Sequence, residues 1–187
     1  MHRAVFLDRD GTLNPDPGYI SGPEAFTLFP DVPEALRLLN HAGYLVVVVT
    51  NQSGIARGYL TEVDLCAIHQ KFRHEVAAGG GRVDAIYHCP HHPTAGEGPL
   101  TRACFCRKPA PGMVYRAALD LEIDVGRSFM VGDGEGDSEA GRRAGCRTIL
   151  VLTGRGHETA RMITQAGSVS PDRIVKALPD AIRIIVG

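Results

Sequence analysis

The chain has no tryptophan, no long apolar run and almost no net charge, and each absence removes a class of function. Its longest aliphatic run, Leu45 to Val49, falls far short of the roughly 20 apolar residues that cross a bilayer, so no membrane partner is expected. A formal charge of −1, from 20 basic and 21 acidic side chains, argues against a broad electrostatic surface for nucleic acid. No internal repeat, coiled-coil pattern or long linker divides the 187 residues, so one domain over 1–187 and a monomer are expected. The first motif begins at Asp8, which leaves no room for a signal peptide and implies a cytoplasmic protein. Hydrophobic residues, at 44%, suffice for a core.

What is present alternates between strand-like and helix-like segments, the pattern of a parallel α/β sheet. Ala4 to Leu7 reads as a buried strand, and a Pro/Gly-rich loop from Pro15 to Pro23 follows. Asp31, Pro33 and Glu34 resemble a helix start, with Val32, Leu36 and Leu39 at helical spacing and Gly43 as a stop. Tyr44 to Val49 is a second strand. Thr61 and Asp64 cap a second helix whose apolar face is Leu65, Ile68, Phe72 and Val76. Further strands are expected at Val83–Tyr87, Ser128–Val131 and Thr148–Leu152, with a helix at Pro111–Leu121 and a short one before the fifth strand. Pro179 interrupts what would otherwise be one C-terminal helix. The fold expected is a Rossmann-like open parallel sheet flanked by helices.

Polar groups cluster at the ends of these strands, where ligands bind in open α/β sheets. Asp8 and Asp10 lie one residue apart just past the first strand, before Gly11 and Thr12. Alternate residues share a face, so both carboxylates can enter one crevice, one as nucleophile or metal ligand and one as proton donor. Thr50 ends the second strand, Lys108 precedes Pro109 at a helix start, and Gly132-Asp133 ends the fourth strand, with Asp137 following. Taken singly these are a solvated turn, a strand end, a surface lysine and a helix-surface acid; together and in this order they point to chemistry.

Five cysteines are present, and Cys89, Cys104 and Cys106 crowd into eighteen residues of the loop from about 88 to 107. Without a secretion signal, such crowding favours metal over disulfides. Cys89-Pro90-His91 and Cys104-Phe105-Cys106 supply three thiolates and an imidazole, a closed tetrahedral set suited to structural Zn²⁺. His88 and His92 flank His91, so this spacing leaves the ligating imidazole open. A zinc clip here would aim Arg107 and Lys108 at the crevice. Cys66 and Cys146 are expected to be small core residues.

The set Asp8-x-Asp10-Gly11-Thr12, Thr50-Asn51, Lys108-Pro109 and Gly132-Asp133-x-x-x-Asp137 resembles the four motifs of the haloacid dehalogenase phosphohydrolase superfamily. The resemblance implies that Asp8 becomes an aspartyl-phosphate, while Asp10 protonates the leaving alcohol and then activates water. It implies Mg²⁺ between the Asp8 carboxylate, the Asp10 backbone carbonyl and Asp133, with Asp137 orienting Asp133 or a metal-bound water. Thr50 and Lys108 would bind phosphoryl oxygens. No segment is long enough for a separate cap domain.

Asp8 to Asn14, Gly18-Tyr19, Thr50 to Gly58, Cys89 to Pro93 and Cys106 to Met113 resemble, more narrowly, the D-glycero-D-manno-heptose-1,7-bisphosphate 7-phosphatase family. By that resemblance Cys89, His91, Cys104 and Cys106 hold zinc. Asp16, Pro17, Gly18, Tyr19, Asn51, Gln52, Ser53 and Arg107 would hold a sugar bisphosphate, on the route to nucleotide-activated heptose. Arg107 has the planar fork for a second phosphate. Gly134 departs from relatives that place a basic or hydroxyl residue after the motif-four aspartate, which removes one phosphate contact. The rival readings are a histidinol-phosphate phosphatase, a polynucleotide 3′-phosphatase and a zinc-stabilised binding module without turnover.

Overall fold

The apolar run ahead of Asp8 forms strand β1 (Arg3–Leu7), in which Ala4 through Leu7 are wholly buried. A central parallel strand needs this, because helices cover both of its faces. The structure is a computed structural model describing residues 1–166 and 170–187. Its other strands are β2 (Tyr44–Asn51), β3 (Ala85–Cys89), β4 (Phe129–Gly132), β5 (Arg147–Val151) and β6 (Arg173–Val175). The helices are α1 (Val32–His41), α2 (Glu62–Ala78), α3 (Gly112–Asp120), α4 (Glu135–Ala144), α5 (Gly156–Ala166) and α6 (Leu178–Val186).

The strands are all parallel and lie in the order β3-β2-β1-β4-β5-β6. Period-two alternation splits the core into two layers. On one face Val5, Leu7, Val46 and Val48 meet Leu36 and Leu39 of α1, Phe72 of α2 and Ile182 of α6. On the other, Phe6, Val47, Val49 and Met130 meet Met113 and Val114 of α3 and Ala144 of α4. The chain winds outward from β1 to β3, then crosses back to β4 beside β1. That reversal opens a crevice at the carboxyl ends of β1 and β4, the place where doubly wound sheets bind ligands.

Several expectations need correction. Thr61 and Asp64 do form a reciprocal cap on α2, with Thr61 N donating to Asp64 Oδ2 at 2.8 Å. Asp31 makes no side-chain cap on α1, because its own backbone is already helical (φ −84, ψ −8) and Pro33 sets the first turn. The third strand begins two residues later than expected. Asp84 turns in to accept from Val46 N, so pairing starts at Ala85 and carries Cys89 to the strand's end beside Asn51. Pro179 does not interrupt a helix: it occupies the first turn of α6, where a missing N–H costs nothing, and an unexpected sixth strand precedes it. Cys66 is exposed, because it lies off the Leu65–Ile68–Phe72 face of α2, whereas Cys146 is buried.

Candidate active site

A cleft of about 460 Å³ opens at the crevice, and Asp8, Asp10, Thr50, Lys108, Asp133 and Asp137 all line it. Asp8 follows β1 directly, and its N–H donates to Val131 O, which ties it to the neighbouring β4. Lys108 arrives from the loop between β3 and α3, and Asn51 at the end of β2 clamps its backbone. Asn51 Nδ2 donates to Lys108 O and Lys108 N to Asn51 Oδ1, both at 3.1 Å. The Lys108–Pro109 bond is cis.

The clamp delivers the Lys108 ammonium between two carboxylates, 2.5 Å from Asp8 Oδ1 and 2.7 Å from Asp137 Oδ1. The three side chains are 4%, 12% and 7% exposed respectively. Burial raises the Asp8 carboxyl above its ordinary range; Lys108 opposes that, while Asp137 and Asp133 add to it. For Lys108, burial works against the charge but Asp137 and then Asp8 outweigh it, so its pKa is raised. Asp133 is pushed up to about 6, chiefly by burial, against a hydrogen bond from Arg155. A divalent cation would reverse this logic by supplying the positive charge that the carboxylates lack.

Asp133 is held from the neighbouring β5–α5 connection and the first turns of α5. Arg155 N donates to its Oδ2 at 2.7 Å, and Thr159 Oγ1 donates to its carbonyl at 2.8 Å. Gly11 (φ +87) lies so near that a Cβ there would stand 2.2 Å from Asp133 Oδ2, so glycine is required on both conformational and steric grounds. Asp137, expected to orient Asp133 or a metal-bound water, has its hydrogen-bond partners elsewhere. It sits in the first turn of α4, accepts from Gly134 N at 2.9 Å and spends its other oxygen on Lys108.

Asp10 points toward a second network. Its carboxylate accepts from Arg9 Nη2 (2.8 Å to Oδ2), Asn14 Nδ2 (2.9 Å to Oδ1) and Gln52 Nε2 (2.7 Å to Oδ2). Arg9 is 1% exposed and backs onto His69, whose Nε2 lies 3.3 Å from Arg9 Nη1. Burial, followed by Arg9 and His88, holds His69 down to about 3, so its neutral ring can accept from the guanidinium. Gln52 is buried and faces Asp10 and Thr50 Oγ1 rather than the cleft. Asp16, Gly18, Tyr19, Asn51, Ser53 and Arg107 line the cleft, while Pro17 is exposed outside it. Sequence reasoning assigned no role to Arg9, Asn14, His69 or Arg155. Arg155 lies in the turn beyond β5, separated from Val151 by Leu152, Thr153 and Gly154, so the strand-end rule that flagged Asp133 did not reach it.

Among the described residues, two clusters can hold metal. Carboxylate oxygens of Asp8, Asp133 and Asp137 lie within 4.8 Å of one another. An all-oxygen, acid-rich set suits a hard cation such as Mg²⁺. Below the loop, Cys89, His91, Cys104 and Cys106 converge within the same limit. The sulfur–sulfur distances are 3.5, 3.2 and 3.3 Å, and His91 Nδ1 stands 3.6 Å from Cys89 Sγ and 3.3 Å from Cys106 Sγ. These separations are far beyond a disulfide bond of about 2.05 Å and near the edges, about 3.8 Å, of a tetrahedron around Zn²⁺. His92 instead accepts from the N–H groups of Thr94 and Ala95, and His88 pairs with Glu62.

A family model described as "HAD-hyrolase-like" matches residues 105–181. The chain is 43% identical over 188 residues to D-glycero-beta-D-manno-heptose-1,7-bisphosphate 7-phosphatase of Pasteurella multocida strain Pm70, covering 100% of this chain and 98% of that one. It is 40% identical over 168 residues to D-glycero-alpha-D-manno-heptose-1,7-bisphosphate 7-phosphatase of Burkholderia mallei, covering 90% and 88%. Among solved structures, D,D-heptose 1,7-bisphosphate phosphatase of B. bronchiseptica, complexed with magnesium and phosphate, superposes with a TM-score of 0.86. The two share 36% identity over 98% of this chain and 97% of that one.

Proposed function

The chain belongs to the D-glycero-D-manno-heptose-1,7-bisphosphate 7-phosphatase family of haloacid-dehalogenase-like hydrolases, and on that premise we propose that it removes the 7-phosphate through Asp8. The observation that carries this reading is the buried Asp8–Lys108–Asp137 triad at the mouth of β1, with Asp133 beside it.

Asp8 Oδ attacks phosphorus in line; the new P–O bond forms as the bond to the sugar O7 breaks. Asp10 gives its proton to that departing oxygen, then takes one from the water that attacks the aspartyl-phosphate. The Asp8–phosphorus bond breaks and inorganic phosphate leaves. Lys108 and the Thr50 hydroxyl hold the non-bridging oxygens, where charge spreads in the transition state. Arg9 and Gln52 fix the Asp10 carboxylate in one orientation for these proton transfers. Mg²⁺, when held by Asp8, the Asp10 carbonyl and Asp133 with Asp137 nearby, supplies charge neutralisation for the phosphoryl group.

Asp16, Gly18, Tyr19, Asn51, Ser53 and Arg107 form the sugar-bisphosphate site, with Pro17 setting the Asp16–Gly18 turn at its edge and Gln52 contributing from behind through Asp10. Cys89, His91, Cys104 and Cys106 bind one structural Zn²⁺, supported by the thiol spacing described above. Reduced thiols so close together fit a cytoplasmic enzyme, and we read it as a single-domain monomer acting in activated-heptose synthesis. A substrate panel tests the reading: kcat/KM for phosphate release with Mg²⁺ on both heptose bisphosphate anomers and on histidinol phosphate. A preference of a hundredfold or more for a heptose anomer is expected; equal or faster turnover of histidinol phosphate refutes the assignment.

A further inference from the structure

Strand β5 ends beside β4, and the turn after it, Thr153 to Gly156, folds back over Asp133. Its backbone is pinned. Arg155 N donates to Asp133 Oδ2 at 2.7 Å and Gly156 N to Thr153 O at 2.8 Å. Gly154 (φ +53) packs so closely that a Cβ would stand 2.5 Å from Gly11 Cα and 2.2 Å from Asp133 Oδ2. The Arg155 side chain therefore starts from a fixed point on the cleft wall. It is exposed, it lines the cleft, and among the described residues its guanidinium has no hydrogen-bond or carboxylate partner.

The charges around it give that position a use. Lys108 is committed to Asp8 and Asp137, and Arg9 to Asp10. Among the described residues, that leaves two cleft-lining cations without a carboxylate partner. Arg107 enters from beyond β3, tied only to His91 O at 3.1 Å, and Arg155 enters from beyond β5. The two flank the β1–β4 crevice from opposite sides. With one phosphate at Asp8, the second dianion of a bisphosphate held in this cleft faces a lining that carries Asp10, Asp16 and Asp133, which repel it unless a cation intervenes. An arginine fork is the side chain best matched to phosphate oxygens.

We propose that Arg155 is a specificity-determining residue that binds the second, non-reacting phosphate of a bisphosphate substrate, across the cleft from Arg107. The inference rests on the phosphatase reading above and names how that site distinguishes a bisphosphate from a monophosphate. The backbone N–H that anchors Asp133 survives in every variant except proline, so side-chain substitution isolates the phosphate contact from support of Asp133.

The test compares wild type, Arg155→Ala and Arg155→Lys on D-glycero-D-manno-heptose 1,7-bisphosphate and on the same sugar carrying only the 7-phosphate. The readout is the ratio of the two kcat/KM values, which cancels any general damage to the site. Alanine should lower the ratio by about tenfold to a hundredfold, mainly through KM for the bisphosphate, as loss of a charge-assisted contact implies. Lysine should restore part of it. An unchanged ratio, whether both substrates suffer alike or neither does, overturns the proposal. Wild type that fails to turn over the bisphosphate overturns the phosphatase reading itself, and that outcome is visible without any variant.

Discussion

Replacing Lys108 with methionine would leave two buried carboxylates without the cation they share. The ammonium is 2.5 Å from Asp8 and 2.7 Å from Asp137, and no side chain of the three is more than 12% exposed. Methionine preserves most of the aliphatic packing, so the effect is electrostatic. Removing one partner of a buried ion pair costs about 3–5 kcal/mol, because the remaining charge is stranded away from water. In a chain of this size about 1 kcal/mol moves Tm by about 2–4 °C, so Lys108→Met should melt roughly 6–20 °C below wild type without metal. Excess Mg²⁺ should raise the variant's Tm by more than it raises that of wild type, since the metal replaces the missing charge. Turnover should nevertheless fall by about 10²–10³, the cost of losing one donor aimed at the transition state. Scanning calorimetry of both proteins, with and without Mg²⁺, gives the answer. A variant as stable as wild type, with no extra recovery in Mg²⁺, would refute the view that Lys108 balances these carboxylates.

Other perturbations address other parts of the account. Dialysis against a strong zinc chelator should release one Zn²⁺ per chain and lower Tm; a metal-free protein with unchanged melting would remove zinc from the loop. Gln52→Leu should lower kcat by about tenfold with little change in KM, because it strips Asp10 and Thr50 of a donor at 2.7 and 2.9 Å; a pure KM effect would instead make Gln52 a substrate contact. His69 titrates near its ordinary pKa when unfolded but is held down to about 3 when folded. The unfolded chain thus binds the extra proton between those values, so this residue's contribution to stability falls as pH drops below about 6.5, by up to about 1.4 kcal/mol per pH unit. Urea unfolding of His69→Gln between pH 6.5 and pH 5 should show a shallower slope than wild type; equal slopes would contradict it.

The parallel sheet and the strand-end acids were legible because buried strands declare themselves as aliphatic runs and ligand sites collect where those runs end. Thr50 and Asp133 were found by that rule and Lys108 by its place before Pro109 at a helix start, and all three line the cleft with Asp8. The rule failed where the signal was weak. Strand β6 is three residues, Arg-Ile-Val, too short for any periodicity to register. The cap on α2 was readable because Thr61 and Asp64 answer each other, whereas Asp31 offered the right residue type on a backbone already helical. The second network was invisible for a different reason. Arg9 stands between two acids with no sequence signal of burial, and only tertiary packing shows it at 1% exposure with His69 behind it. Asp137 lines the cleft, but its partner is Lys108, 29 positions earlier in the sequence, a pairing that spacing alone does not reveal.

The most direct test of the central claim is a rapid acid quench of the enzyme turning over D-glycero-D-manno-heptose 1,7-bisphosphate with Mg²⁺, followed by peptide mass spectrometry and analysis of the sugar. The account predicts one phosphoryl group on the peptide carrying Asp8, none in Asp8→Asn, and a product that keeps its 1-phosphate. Rapid turnover with an unmodified Asp8 peptide, or a product that has lost the 1-phosphate instead, would contradict it.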